Sequence, residues 1–264
     1  MEKLKIIEDK LKKWILLIII WLILWGLIYT IPRLGKICTP HGAYDDVIPV
    51  VAAKNIRYLN HIKEYGMEET AVNISPYYSD EQRYILMRDI KELADEICTE
   101  AHTDEEKLIC IARWTARNIS YDKDSAKNGI DEYTTSLENI FKNGYKTTCA
   151  GYANVISALC ACQGIYCVNL RGGSASGDSA EQLEKAPRNH EWCGAFINGE
   201  WHFIDATWAS DRYYENGKYG TEVFRQNFYC DMDFNEMSVE HRIDSAVHWS
   251  FDVFLNEGYR KEIQ

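Results

Sequence analysis

At 264 residues, with 46% hydrophobic and 26% charged side chains, the chain can bury one sizeable core with room for an appended segment, which excludes a disordered protein. Its formal net charge is −11, and residues 1–36 hold seven Lys or Arg against three Asp or Glu, so the remainder carries −15. So acidic a domain repels phosphate backbones, which excludes nucleic acid as a partner.

The first element in chain order is an uncharged run from Trp14 to Ile31, WILLIIIWLILWGLIYTI. Its 18 residues, at about 1.5 Å each, just cross a hydrocarbon core of roughly 30 Å. Trp14 and Tyr29 lie near its ends, where amphipathic rings prefer the membrane interface. The alternative is a cleaved signal peptide, but the run exceeds the ~7–15 apolar residues of such peptides and no small-x-small cleavage pattern follows. Five lysines precede the run and only Arg33 and Lys36 follow closely, so the positive-inside bias keeps residues 1–13 in the cytoplasm. The expectation is a transmembrane helix at 14–31, a stalk at 32–75 with a helix near Val50–Tyr65, and one extracellular domain at 76–264 held at the cell membrane.

Within that domain, Ser79-Asp80 caps a helix whose apolar stripe is Ile85, Ile90, Leu93 and Ile97. Thr103-Asp104-Glu105-Glu106 starts a second helix in the same way, carrying Leu108, Ile109, Ile111, Ala112 and Ile119 and ending near NISYDKD. Asn128-Gly129 marks a loop, Leu137–Phe141 a short amphipathic segment, and strand-like alternation sets in at Tyr166. Helices first and an antiparallel sheet afterwards make an α+β arrangement. Of nine cysteines, one nucleophile plus eight others would fit four disulfides, although Cys160 and Cys193 also read as small buried hydrophobes. No CxxC pair occurs, and Cys160-Ala-Cys162 lacks partners at zinc-finger spacing.

Three stretches carry the chemistry: TTCAGYANVISALC around Cys149, NHEWCGAF around His190 and GEWHFIDATW around Asp205. Ala153, Ile156, Leu159 and Cys160 recur at helical spacing and Gly164 ends the run, which puts Cys149 at the first turn of a helix. There the unpaired backbone N–H groups and the helix dipole favour a thiolate and serve an oxyanion, while Gly151 keeps the approach to the sulfur open. Asn198-Gly199 is a type I′ hairpin signal that pairs Ile197 with Glu200, His190 with Thr207 and Trp192 with Asp205. His190 and Asp205 then share a face as diagonal neighbours, with Trp192, Phe196, Trp201 and Phe203 excluding water around them. Asp205 accepts from one ring nitrogen and leaves the other for the proton of Cys149. His202 falls on the opposite face, and His41, His61, His102, His241 and His248 read as surface residues.

These motifs resemble the transglutaminase-like superfamily, with its papain-like core and its Cys, His and Asp in that order. TCAGYA resembles its nucleophile motif, HEW its histidine strand, FIDATW its aspartate strand, and ARWTARNISYD the helix and turn before the nucleophile. The resemblance covers roughly residues 80–230. Cys193 departs from the Asn that many members carry there, and FYCDMDFNEMSVEH fits the closing segment only loosely. The resemblance implies N-terminal helices packed on an antiparallel sheet, and a thioester formed by Cys149 on an amide of a peptide or protein substrate. His190 protonates the departing amine, Asp205 holds the ring, and Trp192 and Gly151 contact substrate. Water as acceptor gives a peptidase or amidase, and a lysine amine gives a cross-linker. The tryptophan that stabilises the oxyanion in animal members has no matching motif at Trp114. No cofactor and no metal dependence are expected. The rival reading is a catalytically silent module of the same fold that binds protein or cell wall; a sortase-like or other papain-like peptidase differs in motif context.

Overall fold

The computed structural model describes residues 49–67, 69–71, 79–175, 180–222 and 227–250. The expected cytoplasmic stretch 1–13, the span 14–31, the stalk up to residue 48, Cys38 and His41 lie outside the described residues. Among the described residues no helix is long and apolar enough to cross a membrane.

The elements run α1 (Pro49–Tyr65), β1 (Glu69–Ala71), α2 (Asp80–Ile97), α3 (Asp104–Asn118), β2 (Ser120–Asp122), α4 (Lys123–Asn128), α5 (Leu137–Lys142) and β3 (Lys146–Thr147). They continue with α6 (Cys149–Cys162), β4 (Tyr166–Ser174), α7 (Ala180–Lys185), β5 (His190–Ile197), β6 (Glu200–Ile204), α8 (Ala206–Ala209), β7 (Arg212–Glu215) and β8 (Lys218–Thr221). A 3₁₀ turn (Asn227–Cys230), α9 (Phe234–Glu240) and β9 (His241–Ser250) follow. Ser79 and Thr103 each make the full reciprocal capping box, with Gln82 and Glu106 answering them. That satisfies two otherwise orphaned amides per helix and explains why both helices begin where they do.

The sheets differ from the sequence expectation. A five-stranded sheet has the order β1-β9-β4-β5-β6, in which β1 lies parallel to β9 and the other pairs are antiparallel. A second sheet, β3-β2-β7-β8, joins β2 to both β3 and β7 in parallel. The fold is therefore mixed α/β with two sheets, because β2 and β3 are too short for alternation along the chain to reveal them. Residues 49–65, expected in a stalk, are part of the folded unit. Asn55 of α1 donates from Nδ2 to the His241 carbonyl at 2.9 Å and accepts from Ile243 N at 2.8 Å, while Leu59 joins a buried cluster with Trp192 and Phe203.

Helix α6 runs through the centre of the larger core. Gly151 to Cys160 are all buried, as suits a helix apolar on every face. Its polar exceptions are paired. Asn154 donates to the Thr135 carbonyl at 2.9 Å, and Asn169 of β4 donates to Asn154 Oδ1 and to Glu191 Oε1, both at 2.8 Å. Ser157 donates to Asn169 Oδ1. Glu191, whose carboxyl burial pushes up, is met by Arg171 at 2.8 Å. A buried network with its members satisfied fixes one arrangement of helix against sheet, and this one ties the strand residue after His190 to the helix that begins with Cys149.

The cysteines belong to this core. All eight in the described residues are free, so none of the four disulfides forms among them. Cys160, Cys167 and Cys193 pack as small buried side chains between α6 and the sheet. Burial pushes the Cys98 thiol up to about 11 and the Cys162 and Cys230 thiols up to about 12. Such thiols are poor nucleophiles at neutral pH.

Candidate active site

Cys149 is the first residue of α6, half-buried at the edge of a cleft of about 250 Å³. Its N-cap, Thr148, makes no side-chain capping bond, so the hydroxyl does not consume a first-turn amide. His190 opens β5, opposite Gly172 of β4. Gly172 is required there, because a Cβ would lie 1.7 Å from the Arg242 carbonyl of β9.

Asp205 is completely buried and lies one residue past β6. The hairpin ladder follows the expected register from Ile197–Glu200 to Cys193–Ile204 and stops there. Trp192 therefore does not pair with Asp205, nor His190 with Thr207. The Asp205 amide instead donates to the Tyr229 carbonyl at 2.8 Å, and its Oδ1 accepts from Trp208 N at 3.1 Å as the N-cap of α8. The contact expected of a diagonal pair forms all the same: His190 donates from Nε2 to Asp205 Oδ2 at 2.6 Å. That length is that of a charge-assisted hydrogen bond. Cys149 and His190 line the same cleft, near enough for the sulfur to favour the protonated ring. Burial alone would lower the pKa of His190, but Asp205 and then Cys149 raise it to about 10. Burial would raise Asp205, yet the charge and hydrogen bond of His190 and the hydrogen bond of His241 hold its carboxyl below the ordinary range.

His241 was expected on the surface. It is fully buried at the head of β9 and donates from Nε2 to the same Asp205 Oδ2 at 3.0 Å. His248 is likewise half-buried, against Tyr166 at 4.6 Å. His61 and His102 are exposed, and His202, half-buried, meets Asp231 at 3.2 Å. The two imidazoles at Asp205 sit between indoles: Trp192 stacks on His190 at 6.0 Å and Trp208 at 5.3 Å, while His241 lies 4.7 Å from Trp192 and 4.8 Å from Trp208. Water exclusion thus falls to Trp192, Trp208 and His241. Phe196 and Trp201 pack on each other further along the hairpin.

Neither residue expected to contact substrate lines the cleft. Trp192 is 1% exposed beneath His190. Gly151 faces the Thr147 side chain, where a Cβ would lie 1.9 Å from Oγ1, so it serves close packing at the start of α6 and not access to the sulfur. Trp114 packs against Tyr145 at 6.1 Å and is absent from the cleft wall. Besides Cys149 and His190 the wall includes Tyr121, Asn189, Thr207 and Trp208. Arg242 fastens the α7 connector before His190 by donating to the Leu183 carbonyl at 2.7 Å and the Ala186 carbonyl at 2.9 Å.

His190, Asp205 and His241 also have metal-ligand chemistry. Two donors on one tetrahedral ion, each about 2.0–2.1 Å from it, stand roughly 3.3 Å apart. The 2.6 Å between His190 and Asp205 fits a shared proton better than a shared ion.

Residues 91–206, somewhat under half of the chain and including Cys149, His190 and Asp205, match the model of the transglutaminase-like superfamily. Two curated relatives are the kyphoscoliosis peptidases of Mus musculus and Homo sapiens, each 31% identical over 122 residues, which is 46% of this chain and 18% of theirs. The chain therefore spans less than a fifth of their length. Among solved structures, a TGase shares 15% identity at a TM-score of 0.40, over 65% of this chain and 41% of its own. A candidate cysteine protease from Cytophaga hutchinsonii shares 18% identity at a TM-score of 0.37, over 67% and 56%. At these scores neither adds to the assignment.

Proposed function

We propose that this chain is a cysteine-nucleophile enzyme that acts on amide bonds of peptides or proteins through a thioester at Cys149. The observation that carries the reading is that His190, bonded to a buried carboxylate, lines the same cleft as the Cys149 thiol. The Cys149 sulfur attacks the carbonyl carbon, and the C–N bond breaks as the imidazolium gives its proton to the departing amine. Asp205 keeps the ring oriented and charged, and the uncapped amides at the start of α6 face the developing oxyanion. The relatives are peptidases by name, which favours water as the acceptor that resolves the thioester. The silent-module reading needs a blocked or disulfide-bonded Cys149, whereas the thiol is free and Cys193 bonds to the Ala153 carbonyl instead.

The uncharged run at residues 14–31 supports anchoring in the cell membrane with the domain outside. Under this reading the full chain pellets with membranes, and a chain lacking residues 1–31 stays in the supernatant. Catalysis is tested by incubating the folded domain with a defined peptide mixture and hydroxylamine. Peptidyl hydroxamates that depend on Cys149, His190 and Asp205 are expected, with free acid replacing them when hydroxylamine is omitted. Products that persist in Cys149→Ala would sink the proposal.

A further inference from the structure

Two buried polar residues outside the stretch matched by the superfamily model lead to Asp205. His241, at the head of β9, donates from Nε2 to Asp205 Oδ2, the same oxygen that His190 uses. Asn55 of α1 commits both donors and the acceptor of its amide to the segment around His241. Its Nδ2 donates to the His241 carbonyl at 2.9 Å and to Ser238 Oγ at 3.1 Å, and its Oδ1 accepts from Ile243 N at 2.8 Å.

The last torsion of an aspartate has broad wells, so a single partner on each oxygen leaves the plane of the carboxylate loosely set. At Asp205, Oδ1 takes one amide, from Trp208 at 3.1 Å. Oδ2 takes two imidazoles, whose centroids stand 5.7 Å apart with their planes tilted by 34°. Donors from three separate elements, α8, β5 and β9, thus fix the plane and with it the oxygen that meets His190. Each is a bond to a charged acceptor in a place closed to water, where such bonds are strongest. His241 is absent from the cleft wall, so it acts through Asp205 and not on the substrate.

We propose that His241 is a positioning residue for the thiol chemistry, locking the Asp205 carboxylate toward His190, and that α1 serves the site by holding His241 through Asn55. This rests on the function proposed above and extends its machinery beyond the matched domain. The test is the rate at which iodoacetamide alkylates Cys149 in the full chain at neutral pH. His241→Gln puts an amide N–H as many bonds from Cβ as the ring Nε2, whereas His241→Asn puts it one bond short of Oδ2. His241→Asn should slow alkylation about tenfold, the scale of one hydrogen bond to a charged group. His241→Gln should restore most of the wild-type rate, and Asn55→Ala should slow it by less than His241→Asn does. Protection of the buried Cys230 thiol reports that each variant is folded. Loss of packing alone predicts equal rates for the two His241 variants, and that result, or a wild-type rate in His241→Asn, overturns the positioning role. Should His241→Asn expose Cys230, a folded His241→Gln that reacts as slowly as free cysteine overturns it instead. An Asn55→Ala chain that reacts like wild type overturns the part given to α1. His190→Ala, run beside them, keeps the two readings apart: at a wild-type rate there, the thiol function itself fails.

Discussion

Asp205→Ala is expected to cost on the order of 3–5 kcal/mol of stability and to slow turnover by about 10⁴-fold. The size follows from the number of groups that converge on one carboxylate. His190 and His241 both donate to Oδ2 and Trp208 N donates to Oδ1, all in a place closed to water. Alanine leaves an imidazole buried between two indoles with no counter-charge, and a buried group that loses its partner costs far more than the pair contributes in net terms. Asp205→Asn separates the two effects, since it keeps the volume and the α8 cap but removes the charge. Its stability should fall less, while its turnover should fall nearly as far. Denaturant midpoints and single-turnover rates give the answer, and an Asp205→Ala protein within 1 kcal/mol and tenfold of wild type contradicts the account.

The second large effect is a loss of stability as pH rises. His190 is held protonated to about 10 in the folded chain, against about 6.5 unfolded. A pKa raised by folding contributes stability that is complete below the unfolded value and disappears as pH climbs through the folded one, so the window runs from about 6.5 to about 10. With the thiol in place the contribution is on the order of 5 kcal/mol. The share that Asp205 supplies is read without the thiol, by comparing Cys149→Ala with Cys149→Ala/His190→Gln in urea at pH 6, 8 and 10. The gap in stability between them should be widest at pH 6 and narrow steadily. A gap independent of pH would mean that Asp205 does not hold a proton on the ring.

Much of this site was legible in the sequence because its parts are local. Cys149 follows from helical spacing and a terminal glycine, and the Asn198-Gly199 turn sets the register of β5 and β6 as far as Cys193–Ile204. The register misleads one residue later. The amide of Asp205 leaves the ladder for Tyr229 and its side chain caps α8, a competition between strand and cap that alternation does not show. His241 was hidden for a different reason: it lies 36 residues from Asp205 and arrives there only because β9 pairs beside β4. The Asp233–Glu236 capping box marks the start of α9, but it carries no signal for the strand that follows. Trp208 sits in the FIDATW motif, which reads as strand by alternation, whereas it lies on the helix that Asp205 caps. The parallel pairs of β2 with β3 and β7 involve too few residues to leave any period.

The most direct test is the rate of iodoacetamide alkylation at Cys149 across pH, read by mass spectrometry on the purified domain with His190→Ala alongside. A thiol activated by the neighbouring imidazole should alkylate much faster than free cysteine at neutral and mildly acidic pH, and His190→Ala should slow it to the rate of free cysteine. Slow alkylation that follows an ordinary thiol titration and ignores His190 would contradict the active-site reading and leave a binding module of the same fold.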